Sequence, residues 1–312
     1  MKATKWILPL VSLLAYGPMQ AFAIPLLGSK LASFAVLGAS TVTNVPTSKV
    51  VGNVGVWSSG GANAVTGFNS SPGVAVADAQ VTAGKLHAGT DIAHLAQSQL
   101  IDSITSLGFM GTGITLANPD LSGLTLAPGV YTVHAGTSNL STLFGALTLD
   151  GKGNANAAWV FQMDSTLITS PGSKVNVINT GSKAGVFWDV RSSATLDTGT
   201  SFEGNILALT SITLNNGASI GCGRALASTG AVTMNMNSIG ADCDTRASGG
   251  DSFGGGIIVP EKGGKPGTLP FASVPEPNTF MLFGLGLMGL VACRRTSFRL
   301  RSSKQAAQLI LG

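Results

Sequence analysis

Charged residues are scarce in this chain: they make up 10% of its 312 residues, against about 25% in an ordinary globular protein. A surface so poor in Lys, Arg, Asp and Glu has to be covered by Ser, Thr, Asn and Gly. Histidine, cysteine and tyrosine are also few, at 3, 3 and 2. His87, His94 and His134 stand without a serine or cysteine motif around them, and no GxSxG elbow occurs. The common nucleophile–base arrangements are therefore missing. No phosphate loop or metal-ligand spacing is present, so neither cofactor nor metal is expected. Asp189, Asp197 and Glu203 are the densest acids of the second half. They read as corner and solvent residues rather than a catalytic pair. The chain is not expected to be an enzyme.

The formal charge of +4 and the isoelectric point near 9.1 suggest a nucleic-acid partner, but the distribution removes that reading. Lys2 and Lys5 lie at the start, and Arg294, Arg295, Arg299, Arg301 and Lys304 at the end. Eleven basic and 13 acidic residues remain between Ile24 and Ser273. The body is slightly acidic, with no basic groove and no interleaved aromatics, so nucleic acid is excluded.

Residues 1–23 read as a secretory signal peptide. Lys2 and Lys5 supply the positive start, Trp6 to Tyr16 the apolar stretch, and Ala21-Phe22-Ala23 the cleavage site. The mature chain is expected to begin at Ile24. In an exported body oxidation is allowed, so a disulfide between Cys222 and Cys243 is plausible, with two free thiols as the alternative. Cys293 falls in an apolar segment of the tail.

Hydrophobic residues reach 44%, which argues for a packed core rather than disorder. One helix is signalled. Thr90 is a cap, Asp91 sits in the first turn, and Ile92, Leu95, Ala96, Leu100, Ile104 and Leu107 recur at helical spacing before Gly108. The rest is strand-like and repetitive. Ala194-Thr195-Leu196, Ile212-Thr213-Leu214 and Val232-Thr233-Met234 share one pattern. Gly204-Asn205-Ile206-Leu207-Ala208 and Gly223-Arg224-Ala225-Leu226-Ala227 share another. Leu124-Thr125-Leu126 and Leu147-Thr148-Leu149 are looser copies. A period of about 20 residues with several short strands per repeat predicts an all-β-dominated β-solenoid, or β-helix. Asn215-Asn216-Gly217, Thr198-Gly199 and Pro171-Gly172 supply corners. A β-sandwich is the rival fold, but it would carry more two-residue turns and no column of Thr. In the solenoid, alternation turns the flanking apolar residues inward and Thr195, Thr213 and Thr233 outward, about 4.8 Å apart.

The predicted organisation is a signal peptide at 1–23, the solenoid at 24–245, a flexible Gly/Pro-rich linker at 246–273 and a tail at 274–312. The tail carries Pro275-Glu276-Pro277, an apolar run from Phe280 to Ala292, then Arg294 and Arg295. It is short for a membrane span but predicts insertion, with the two arginines on the cytoplasmic side. This order of elements resembles the PEP-CTERM sorting signal. The resemblance implies recognition by an exosortase-type membrane protease, and a cell-surface or extracellular location with membrane attachment or sorting through the tail. The chain runs on from Thr296 to Gly312, further than such signals usually extend.

The body, from about Leu27 to Gly240, resembles the ice-binding-like family of secreted proteins. The carrying segments are Leu27-Gly28-Ser29, Phe34-Ala35-Val36-Leu37-Gly38 and Val51-Gly52-Asn53-Val54-Gly55-Val56. Val65-Thr66-Gly67-Phe68, Leu126-Ala127-Pro128-Gly129-Val130-Tyr131 and Trp159-Val160-Phe161-Gln162 follow, with 193–205 and 223–227 last. The resemblance implies an irregular right-handed β-solenoid of triangular section with one long helix packed alongside. It also implies adsorption to ice or an ordered water surface through one flat face. Carried over by position, that face would hold Thr66, Thr142, Thr195, Thr213 and Thr233. Between Thr142 and Thr195 the outward position is Thr166 or Ile168, with Ile168 the better fit. The alternative function is a structural or adhesive envelope module that uses the same solenoid without affinity for ice.

Overall fold

The computed structural model describes residues 23–58, 64–133, 138–142, 145–240, 253–260 and 267–268. The signal segment before Ala23, His134, Cys243 and the sorting tail lie outside the described residues. The chain divides into two units, Met1–Leu269 and Pro270–Gly312; the description below concerns the first.

Each coil places one short strand on each of three walls. Gly129–Val133, Ser138–Leu140 and Leu147–Asp150 make one coil; Ala158–Met163, Leu167–Thr169 and Val175–Ile178 make the next. Corresponding strands of successive coils pair in parallel. In later coils two walls fuse into single bent strands, Ser201–Ala208 and Ser219–Ala227. Their ladder slips by one residue after Phe202, next to Gly204 at φ +103°. The stack of parallel coils is the solenoid expected from the repeats.

The stacking order is not the chain order. The N-terminal strands Phe34–Gly38, Thr41–Val45 and Lys49–Val51 pair with the last coil, at Ser219–Ala227, Val232–Asn235 and Ser238–Gly240. The second N-terminal coil stacks beyond the first through Asn53–Val56 and Ala64–Thr66. The chain must then return to the far end, eight ladder steps away from Leu86–Ala88, or about 38 Å at strand spacing. The helix Asp91–Gly108 covers most of that return, about 27 Å at 1.5 Å per residue.

Local chemistry sets the ends of this helix. The Thr90 hydroxyl accepts the Ala93 N–H at 3.3 Å, and Asp91 sits in the first turn, where the helix dipole favours a negative charge. His87 Nδ1 lies 3.1 Å from the Thr90 hydroxyl and steadies the cap. The buried side is Ala93, Ala96, Gln97, Leu100, Ser103, Ile104 and Leu107. This corrects the apolar face read from the sequence: Ile92 and Leu95 are exposed. Small Ala93 and Ala96 let the helix approach the sheet. Gln97 Nε2 donates to Ala227 O and Ser228 O at 3.1 and 2.7 Å.

Inside the coils the core is aromatic at one level. Tyr131, Phe161 and Trp188 stack at 5.6 and 4.2 Å, and Phe202 meets Trp188 at 4.8 Å. Their polar atoms are satisfied by carbonyls: Tyr131 Oη donates to Ala127 O at 2.6 Å and Trp188 Nε1 to Glu203 O at 3.0 Å. Cys222 is buried and disulfide-bonded.

Within the expected linker at 246–273, the described residues 253–260 and 267–268 need correction. Phe253 packs against the solenoid core, and Ile257 is buried in the separate cluster beneath the helix. Ile257–Pro260 pairs antiparallel with Ala23–Pro25 on one side and with Gly267–Thr268 on the other. The solenoid domain therefore extends past residue 245. Among the described residues no helix is long and apolar enough to cross a membrane; the apolar run 280–292 lies outside them.

Candidate functional site

Among the described residues the helix Asp91–Gly108 packs on strands of the largest sheet and leaves bare a seven-stranded wall. Its strands lie in the order Ser138–Leu140, Leu167–Thr169, Ala194–Leu196, Ile212–Leu214, Val232–Asn235, Thr41–Val45 and Ala64–Thr66. Alternation is strict through the middle. Ala194 and Leu196, Ile212 and Leu214, and Val232 and Met234 are buried, while the residue between each pair is partly exposed.

Register then builds one central column. Asn139 lies beside Ile168, Ile168 beside Thr195, Thr195 beside Thr213, and Thr213 beside Thr233. Thr233 lies beside Thr43 and Thr43 beside Thr66. Five threonines are thus contiguous. Six ladder steps give the column a length of about 29 Å.

Four residues expected on the face, Thr66, Thr195, Thr213 and Thr233, fall in this column. Thr142 does not. Its strand ends at Leu140, the column position there is Asn139, and Thr142 is exposed in the bend beyond. Of Thr166 and Ile168, Ile168 takes the column position and is 41% exposed. Thr43 was missed. Its strand reads Thr-Val-Thr-Asn-Val, the same alternating signal, but it neighbours Thr233 only because the first coil stacks on the last.

Polar ladders hold the flank of this wall. Gly172, Gly199 and Gly217 all take positive φ at one corner, a backbone region that other residues resist. Their N–H groups donate to Thr198 O, Asn216 O and Asn235 O of the next coil at 2.9, 3.0 and 3.2 Å. Just inside, Thr169 and Thr200 share a hydroxyl bond at 2.7 Å, and Thr169 Oγ1 accepts the Asp197 N–H at 2.8 Å. Asn237 Nδ2 donates to Asn215 O and Ala218 O at 2.8 and 2.9 Å. Ser48 Oγ donates to Asn44 Oδ1 at 2.7 Å, and Asn44 Nδ2 to Gln80 Oε1 at 3.0 Å. These bonds tie each coil to the next along the corner, where the buried Asn235 Oδ1 is an exception without a partner.

Electrostatically the wall is quiet. Asp197 stands at its edge, where Asn215 Nδ2 donates to it at 2.9 Å. That bond and the Thr198 N–H hold its carboxyl below the usual range. Asp189 lies on the helix-covered wall, fully buried, with Arg191 Nη2 at 2.9 Å. Burial pushes its carboxyl up to about 6, with Arg191 opposing. Glu203 is buried at the bend of its strand. The three acids occupy different sides of the coil and share no site. His87 is buried beneath the helix start, where burial and Lys85 lower its pKa. His94 is exposed and its ring lies tilted against Trp57, 4.5 Å between centroids. Among the described residues no cluster of His, Cys, Asp or Glu could hold a metal.

Residues 36–240 match the family model of ice-binding-like domains, and 273–295 match the PEP-CTERM protein-sorting motif. The second match spans Pro275, Glu276, Pro277, Arg294 and Arg295. An ice-binding protein of Nostoc sp. (strain HG1) is 39% identical over 281 residues, 90% of each chain. Ice-binding protein K3-B1 of Typhula ishikariensis is 34% identical over 66% of this chain and 84% of its own. Among solved structures, an ice-binding protein from an Antarctic biological consortium superposes with TM-score 0.56 at 33% identity, covering 68% of this chain and 89% of that one. The chain belongs to the ice-binding-like family.

Proposed function

We propose that the protein is exported to the cell surface and adsorbs to ice through the bare wall, limiting ice growth or recrystallisation. The contiguous column Thr195, Thr213, Thr233, Thr43 and Thr66 carries this reading. Each threonine offers a methyl that sits in a gap of an ordered water layer and a hydroxyl that pins it. A single water contact is weak. An array already held in place by the corner ladders loses little entropy on docking, so many weak contacts act together. Ile168 and Asn139 end the run, and the adsorbing surface is strongest toward the N-terminal coils. The named ice-binding relatives support the same use of the fold.

The sorting motif supports delivery of the domain to the envelope, with an exosortase-type protease as partner and membrane attachment through the apolar run. Cys222 pairs with Cys243 in this reading; mass mapping of non-reduced peptides tests it, and a 222–293 link would contradict it.

The test is ice recrystallisation by residues 24–269, compared with Thr213→Tyr. The unaltered domain keeps crystals small, and the variant needs about tenfold more protein for the same effect, a loss of about 1.4 kcal/mol in adsorption. Equal crystal growth with and without the unaltered domain would favour the structural or adhesive role instead.

A further inference from the structure

The glycine run Gly254-Gly255-Gly256, which reads as a flexible spacer in the sequence, is seated against the middle coils. Val186 N–H donates to Phe253 O at 2.9 Å, Gly255 N–H to Ala184 O at 3.2 Å, and Leu26 N–H to Ile257 O at 3.3 Å. Glycine is required for this approach. A side chain on Gly255 would strike Lys183 O, and one on Gly256, at φ +73°, would stand 2.8 Å from Ala158 Cβ. Gly185 beneath has the same constraint, because a Cβ there would strike Gly255 O.

A buried polar hub joins this segment to the other chain end. Asn205 Nδ2 donates to Phe253 O at 2.8 Å and to Val186 O at 3.1 Å. Arg224 Nη1 donates to Asn205 Oδ1 at 2.8 Å, and its Nε and Nη2 to Ala32 O at 3.1 and 2.7 Å. Asn205 and Arg224 occupy the same position of neighbouring coils. The Asn and Arg of the GNILA and GRALA repeats are thus its two members.

We propose that residues 253–260 form a clasp that ties the root of the C-terminal tail to the N-terminal strand Ala23–Pro25 and to the central coils. The clasp crosses Ala157, Ala184 and Val186 and seats Ile257 among Leu26, Ala158, Phe187 and the helix residues Leu100 and Ile104. It lies on the helix-bearing side, away from the threonine column. A load on the tail enters the middle of the solenoid instead of peeling its last coil. The anchor point at 253–260 is thus off the bare wall, which matters for a tethered protein under the ice-binding reading, on which this consequence rests.

Hydrogen exchange on the mature full chain tests the clasp without ice. Amides of Leu26, Val186 and 257–259 are expected to exchange at least about 100-fold more slowly than unstructured ones. Gly256→Val returns 257–259 and Leu26 to fast exchange while Ile206 and Leu226 stay slow. Loss at Ile206 as well would show the clasp holding the whole solenoid, which also supports it. Unprotected 257–259 in the unaltered chain, or unchanged protection in Gly256→Val, would overturn it. For the orientation, streptavidin beads carrying the chain through a C-terminal biotin should adsorb to ice. Adsorption of the free chain but not of the beads overturns the orientation. Adsorption of neither overturns the ice reading and leaves the clasp to the exchange result.

Discussion

The helix-covered wall and the bare wall are made by the same coils, yet they follow different rules. On the covered wall, strands such as Gly185–Val190 are buried at every position, because one side faces the core and the other lies under the helix and, at Gly185, under the 253–256 segment. On the bare wall, Ile212–Leu214 buries two residues and offers the third to solvent. One wall spends its side chains on cohesion, while the other keeps a row free that stability does not need. Substitutions should therefore separate the two walls cleanly.

The largest effect is expected on the covered wall. Leu226 is fully buried beneath the helix. Leu226→Ala should cost about 2–5 kcal/mol in chemical denaturation, through lost transfer energy and a cavity. Thr43→Tyr, by contrast, should leave stability within about 0.5 kcal/mol.

Asp189 gives the next effect. Its folded pKa of about 6 lies above the usual carboxylate value, so the fold favours the protonated form. The penalty is absent below about pH 4, grows as pH rises, and is complete above pH 6, where it reaches on the order of 3 kcal/mol. Asp189→Asn should raise the melting temperature at pH 8 and leave it unchanged at pH 3.5. A variant less stable at pH 8 would mean that the Arg191 pair outweighs burial.

On the bare wall, Thr43→Tyr should weaken recrystallisation inhibition as much as Thr213→Tyr, about tenfold, or about 1.4 kcal/mol. The smallest effect is Ile168→Thr, which lengthens the run by one and should improve the inhibitory concentration about twofold. No change there would place the end of the useful column at Thr195.

Much of this architecture was readable in the sequence where neighbours in space are neighbours in the chain. Thr195, Thr213 and Thr233 belong to successive coils, so a period of about 20 residues exposed them. Thr43 was hidden because the helix carries the chain back and seats the first coil on the last. Thr142 misled because the loop after Leu140 places it past the strand. Ile92 and Leu95 misled because close approach to a sheet favours Ala93 and Ala96. The triple glycine looked like a spacer because its reason, contact with Ala158 and Lys183, lies about 70 to 100 residues away in the chain.

Adsorption through this wall requires the column to act as one surface across the junction of the first and last coils. The most direct measurement is adsorption of fluorescently labelled residues 24–269 to a single growing ice crystal, beside Thr43→Tyr. The unaltered domain is expected to coat the crystal and resist rinsing, while the folded variant washes away. Equal retention of the two proteins, or no retention of either, would contradict it.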